Sequence, residues 1–191
     1  MRYTPTHKAE TRAAILFHAA AGLREQGVRG IGVAAIMKRA GLTHGGFYQH
    51  FVSRDAMVAA AVTYMFAEGA ALLDAGEDLP APDRIGRFMD RYLSASHVAR
   101  LARGCPVPTL ASELPHMDDG ARESYRDGVA ALVGRIAALL AECGRSDAEA
   151  LARSMLSELV GAVALARTQG IAEAAETLAA SRRHIRLRLG F

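Results

Sequence analysis

Tryptophan is absent from this 191-residue chain, cysteine occurs twice, proline six times, and aromatic residues make up 6%. Two cysteines, Cys105 and Cys143, exclude a disulfide framework and a four-cysteine zinc site. Few prolines and few β-branched runs leave little with which to build a sandwich or barrel. No phosphate loop, no His-Glu-x-x-His and no dinucleotide fingerprint is present, so the common signatures of an enzyme are missing. The opening Met1 to Glu10 carries Arg2, His7 and Lys8 but no apolar segment, unlike a secretory leader. The most apolar stretch, Met57 to Leu73, is interrupted by Glu68, which argues against a membrane span. These absences predict a cytoplasmic, reduced protein with no membrane partner, metal site or cofactor.

What is present points to helices. Alanine occurs 39 times, hydrophobic residues reach 51% and charged residues 23%. A chain of this mass buries roughly 70% of its surface on folding, enough for a core without staples. Charge is uneven. Residues 1–58 hold eight basic and three acidic side chains, a net of +5, whereas 59–191 hold 15 basic and 17 acidic, a net of −2. A basic first third fits either a polyanion-binding unit or ordinary surface charge.

Apolar spacing and capping residues predict about nine helices. The first runs from Lys8 to Gln26, stopped at Gly27, and the second from Val33 to Ala40. A third, capped by Thr43, reaches His50, and a fourth, capped by Ser53, reaches Leu73. After a loop over 75–82, one helix spans Asp83 to Leu101, a short one follows Pro106, and a long one capped by Asp118 or Asp119 stops at Gly144. Ser146 and Glu149 form a capping box for the next, and the last covers Ile171 to Leu189. The division predicted is at residue 53, into one unit over 1–53 and a second over 54–191.

Three short helices, the second and third joined by Ala40-Gly41-Leu42, make a helix-turn-helix layout, which a plain helical corner would also show. The residues from Ile36 to Met57, IMKRAGLTHGGFYQHFVSRDAM, settle more. They closely resemble the DNA-binding signature of the TetR family of bacterial regulators, and the match extends over about residues 8–60. The rest resembles the family only in helix number and length. The resemblance implies an all-α homodimer on pseudo-palindromic double-stranded operator DNA, its recognition helices ~34 Å apart.

By that resemblance Lys8, Thr43, Tyr48, His50 and Arg54 face phosphates, while His44, Gly45, Gly46 and Gln49 lie near the bases. Phe47 and Phe51 anchor the unit. One departure is Ile31-Gly32, where the family often has two Thr or Ser, so a hydroxyl contact to phosphate is lost.

The resemblance also implies a four-helix dimer interface from the last two helices, with Met155, Leu159, Ala162, Val163, Ala166, Leu178 and Ile185 as its face; the same stripe also reads as intramolecular core. The middle helices would enclose a pocket for an unknown small molecule, lined by Met65, Phe66, Phe88, Met89, Tyr92, Cys105, Leu110, Tyr125, Val129 and Met155. His97, Glu113 and His116 are the polar candidates to orient it.

Cys105 follows Arg103-Gly104 at an expected helix start, where Arg100, Arg103 and the helix end would favour thiolate. It is therefore either a redox or electrophile sensor or a small buried hydrophobe. Cys143 reads as inert. Glu113-Leu114-Pro115-His116 fits Glu-x-x-His, but a di-iron site needs two copies and two further glutamates. The predicted function is thus a transcriptional regulator, most simply a repressor released by a small effector. The alternatives are a thiol-responsive repressor and a helical interaction module without DNA binding.

Overall fold

The computed structural model describes residues 5–76 and 78–190. Met1 to Thr4, part of the segment read above for a leader, and Glu77 of the 75–82 loop lie outside them. The described residues form nine α-helices: α1 (Pro5–Gly30), α2 (Val33–Arg39), α3 (Arg54–Asp74), α4 (Ala81–Tyr92), α5 (Ala95–Ala99), α6 (Val107–Leu110), α7 (Asp119–Glu142), α8 (Ala148–Ala166) and α9 (Ile171–Leu189). Three 3-10 segments join them, at His44–Gln49, Leu101–Arg103 and Ala111–His116.

The count of nine agrees with expectation but the composition does not. The third expected helix is a six-residue 3-10 segment, His44–Gln49. Two glycines in six residues leave too little propensity for an α-helix. The expected single helix over 83–101 is two helices. Ser94 interrupts it, because its hydroxyl accepts from His97 N–H at 3.1 Å and starts α5 afresh. The Ser146–Glu149 capping box does not form. The N-cap is Asp147, without a side-chain cap, and Glu149 instead accepts from Arg153 one turn on at 2.7 Å.

Capping succeeds elsewhere. Ser53 accepts from Ala56 N–H, and Asp118 from Gly120 and Ala121 N–H, so α3 and α7 start where their capping residues place them.

Two apolar clusters fill the fold. One joins Ile15, Leu23, Ile36 and Phe47 of the N-terminal unit to Met57, Val62 and Phe66 of α3 and to Leu110, Ala121 and Tyr125 beyond it. The other packs α4, the second half of α7, α8 and α9 around Ile85, Met89, Ile136 and Val163. The first cluster crosses the proposed boundary at residue 53, so the N-terminal unit is seated on the C-terminal helices rather than tethered to them. Helix α3 is long and apolar enough to cross a membrane, but its apolar face is spent on this packing.

Where α3 meets α7 the two backbones are close. Gly128 of α7 lies flush against the ring of Phe66, and a Cβ there would overlap ring carbons. Phe66 in turn packs edge-on to Tyr125 at 5.6 Å. Gly128→Ala is expected to lose about 1–2 kcal/mol net, because overpacking outweighs the gain in helix propensity. In thermal melts that is a fall of about 2–8 °C. In a Phe66→Leu background the same change is expected to be neutral or stabilising; an equal loss in both backgrounds would refute this account.

Candidate nucleic-acid interface and effector cavity

The reading head is built from turn chemistry upward. At the end of α2, Gly41 adopts φ 72°, which only glycine takes without strain. Gly41 N–H donates to Lys38 O at 3.1 Å and Leu42 N–H to Met37 O at 2.9 Å, a complete Schellman motif. This turn aims the His44–Gln49 segment across α2. Phe47, 1% exposed, is its anchor and stacks on Phe51 at 5.7 Å. Thr43, His44, Gly45, Tyr48 and Gln49 are left exposed, Tyr48 at 70%. Thr43 makes no side-chain capping bond.

Neither Gly45 nor Gly46 has a positive φ, and a Cβ at Gly45 meets nothing within 4 Å. The chain's own packing does not require glycine at position 45.

The start of α1 returns to this face. His7, Lys8 and Thr11 share a depression of about 460 Å³ with Thr43, Gly46, Gln49 and His50. Arg12, absent from the expected site, stacks over the Phe51 ring at 4.8 Å and adds a guanidinium here. Its four-residue spacing from Lys8 was the signal that could have revealed it. Burial, then Lys8, Arg12 and His7, push the His50 pKa down.

One expectation changes. Arg54, expected at phosphate, is committed within the chain: it donates to Val28 O and, at 3.3 Å, to Ile31 O, holding the chain that leaves α1. Gly32 caps α2 without a side chain, as the departure at Ile31-Gly32 implies.

A second site lies between α1, α3, α4 and the 95–106 segment, a cavity of about 260 Å³. Of the ten expected lining residues, Met65, Phe88, Tyr92 and Cys105 line it. Phe66, Met89, Leu110, Tyr125 and Met155 are buried core instead, and Val129 packs against both clusters. The residues missed include the polar ones Arg24, Glu68, Arg91, Ser96, Arg100 and Arg103 and the apolar Leu72 and Leu132. The polar ones come from four separate segments, and no local pattern marks them.

Arg24, 3% exposed, is the one charged residue buried among the described residues. It donates to Glu68 Oε2 and to Ala102 O, both at 3.2 Å, and Glu68 also pairs with Arg103 at 3.1 Å.

Of the polar candidates, His97 lines the cavity. Glu113 does not; its Oε2 accepts from Val28 N–H at 3.1 Å, just past the break in α1 at Gly27 (φ 75°). That contact ties the second unit to the reading head.

The family model described as bacterial regulatory proteins, tetR family, matches residues 15–61. The one described as the transcriptional regulator LmrA/YxaF-like C-terminal domain matches residues 81–181, more than half the chain. This chain belongs to the TetR family. No curated protein sequence matches it. Among solved structures, a TetR regulator from Chloroflexus aurantiacus is 28% identical with a TM-score of 0.79, covering 96% of each chain. The reduced form of E. coli NemR is 22% identical, TM-score 0.78, covering 93% of this chain and 96% of its own. A TetR-family regulator from Agrobacterium tumefaciens is 20% identical, TM-score 0.79, covering 95% and 98%. The last two show a shared fold. The chain is a DNA-binding transcriptional regulator and not an enzyme.

Within this TetR protein the thiol chemistry differs from expectation. Cys105 sits on the cavity wall, and burial raises its pKa. The Tyr92 hydroxyl, the Val107 amide, Arg24 and Arg167 oppose that rise and lose to it. The thiol is therefore the resting form, contrary to the thiolate that the sequence suggested. Burial and Glu142 raise Cys143 as well.

His97 braces the same wall. Its Nδ1 lies 2.6 Å from Tyr92 O and its Nε2 accepts from Cys105 N–H at 3.0 Å, which sets the neutral Nδ1–H tautomer. Burial, then Arg167, Arg24 and Arg91, depress its pKa. A depressed base binds fewer protons folded than unfolded, so its stability is complete above the unfolded value and lost as pH falls. His50 and His97 both act this way. The melting temperature is expected to decline as pH drops below about 6.5, and His97→Gln to flatten that decline. A wild-type melting temperature flat from about pH 7 to 5 would contradict it.

Proposed function

We propose that this TetR-family chain is a cytoplasmic homodimeric repressor that leaves its operator when a small molecule fills the α1–α3–α4 cavity. The carrying observation is Arg24. It belongs to the first helix of the reading head and is also a wall of the cavity. Cavity contents therefore touch the DNA-binding unit directly. An effector acts only through differential affinity for the bound and free states, typically ~1–3 kcal/mol of coupling.

TetR regulators bind operator DNA as homodimers. The residues expected at the dimer interface need correction. Met155, Leu159, Ala162, Val163, Ala166, Leu178 and Ile185 are 0–4% exposed within one chain and form its own core. The other side of α8 and α9 carries Gly161, Ala164, Leu165, Ala172, Ala175 and Leu187, with Leu165 at 58% and Leu187 at 77% exposed. This small-residue face is the better seat for the partner copy.

The test is fluorescence anisotropy on DNA from beside the protein's own coding region, across a salt series. Two protomers per site and a steep loss of affinity with salt are expected. Leu165→Glu is expected to yield monomers that bind weakly. A salt-insensitive protein that binds neither this DNA nor duplexes selected from random sequence would favour the interaction module instead.

A second reading rests on the position of Cys105 in the cavity wall, where a reagent could reach its thiol. Alkylation that abolishes DNA binding in the unchanged protein but not in Cys105→Ser would support it. DNA binding unchanged by alkylation would end it.

A further inference from the structure

We propose that the molecule this cavity takes is a small organic anion, a carboxylate on an apolar frame, recognised by Arg91, Arg100 and Arg103. The proposal rests on the effector reading above and names the class of that effector.

Four arginines line the cavity: Arg24 is buried, Arg103 is half-exposed, and Arg91 and Arg100 lie on its exposed side. Among the described lining residues Glu68 is the sole carboxylate, and it already serves both Arg24 and Arg103. Arg91 and Arg100 have no ion-pair partner among the described residues. Asp90, next to Arg91 on α4, is taken by Arg182 and Arg186 of α9. Two uncompensated cations therefore sit at the rim of a site whose only anion is spent.

His97 reports the same field from within. It is held neutral, by burial first and then by Arg167, Arg24 and Arg91, so it adds no positive charge and offers its ring as wall. Met65, Leu72, Phe88 and Leu132 supply the apolar side. At about 260 Å³ the cavity is small, just under the ~300 Å³ where sites for drug-sized ligands begin.

A carboxylate can bond a guanidinium through two parallel N–H···O contacts, which a neutral amide cannot match in charge or geometry. An ammonium would face four arginines and one carboxylate that is already paired, so like-charge repulsion disfavours it.

The anion also has a route to the reading head. Drawn to Arg103, it competes with that residue's contact to Glu68, and Glu68 is the carboxylate that neutralises Arg24 of α1. Occupancy thus alters the charge balance around the one buried cation that joins α1 to the 101–103 turn.

The test uses the purified full-length protein and its labelled operator. Octanoate, phenylbutyrate and naphthoate are compared with the amide and the primary amine of the same carbon frames, in thermal melts and in operator-release titrations. At least one carboxylate is expected to raise the melting temperature and release operator at a concentration tenfold or more below that of its amide, with the amine inert. In Arg91→Gln/Arg100→Gln that advantage is expected to shrink to threefold or less, while the amide's own affinity, unchanged, shows the cavity intact. Each variant's operator affinity without ligand is its own reference. Amides or amines that bind as well as carboxylates, or a carboxylate preference untouched by the double substitution, overturn the anion assignment and leave the effector reading standing. If no carboxylate binds, the assignment also fails. Operator release by the neutral or cationic members then decides separately whether the cavity is a switch.

Discussion

Gly45→Asp is expected to lower operator affinity about 100-fold or more while leaving the melting temperature within about 2 °C. The two halves of this result have separate causes. A side chain at position 45 meets nothing of the protein within 4 Å, and the residue has no positive φ, so folding is not disturbed. On the proposed reading DNA fills the same space in the bound state, and a carboxylate there would face its phosphates. Gly45→Ala separates bulk from charge. It adds helix propensity, so it is expected to stabilise slightly, by up to about 1 kcal/mol, while still weakening DNA binding through lost approach. Anisotropy and thermal melts on the same preparations measure both. Operator affinity unchanged by Gly45→Asp would mean that the His44–Gln49 segment does not enter the groove.

Glu68→Ala is the second large effect, this time on stability. Removing the carboxylate leaves Arg24 charged, nearly inaccessible to water, and bonded only to Ala102 O. Stranding a buried charge in this way costs about 3 kcal/mol or more, a fall in melting temperature of roughly 6–12 °C for a chain of this size. Arg24→Met is expected to cost far less, because it removes the buried charge and leaves Glu68 paired with Arg103. The double variant Arg24→Met/Glu68→Ala is expected to recover most of the loss. An additive result would show that the pair is not coupled, and that water reaches Arg24 through the cavity. Glu68→Ala is also expected to weaken operator binding beyond its effect on folding, since Arg24 belongs to the helix that carries the reading head.

What was legible in the sequence was what neighbours along the chain decide. Gly41 had to be left-handed because α2 ends there and the chain must turn within three residues. Ser53 and Asp118 capped the helices they precede, because a capping hydroxyl or carboxylate needs only backbone N–H groups two or three residues away. The exposure of Thr43, His44, Tyr48 and Gln49 followed from Phe47 being the one large apolar residue of that segment.

The tertiary structure decided everything that depends on partners from distant segments. Arg54 read as a phosphate contact from its place in the signature, but carbonyls 23 and 26 residues away claim it. The stripe Met155–Leu159–Ala162–Val163–Ala166 was correctly apolar. Helical period says only that one face is buried, and whether the chain's own core or a second copy buries it depends on packing. Cys105 had cations nearby in sequence, yet its thiol pKa rises, because desolvation is set by how deeply the wall is enclosed. The cavity's character turned out to be cationic for the same reason. Arg24, Glu68, Arg91 and Arg103 are scattered over 80 residues, and a charge balance exists only where folding brings such groups within a few ångströms of one another.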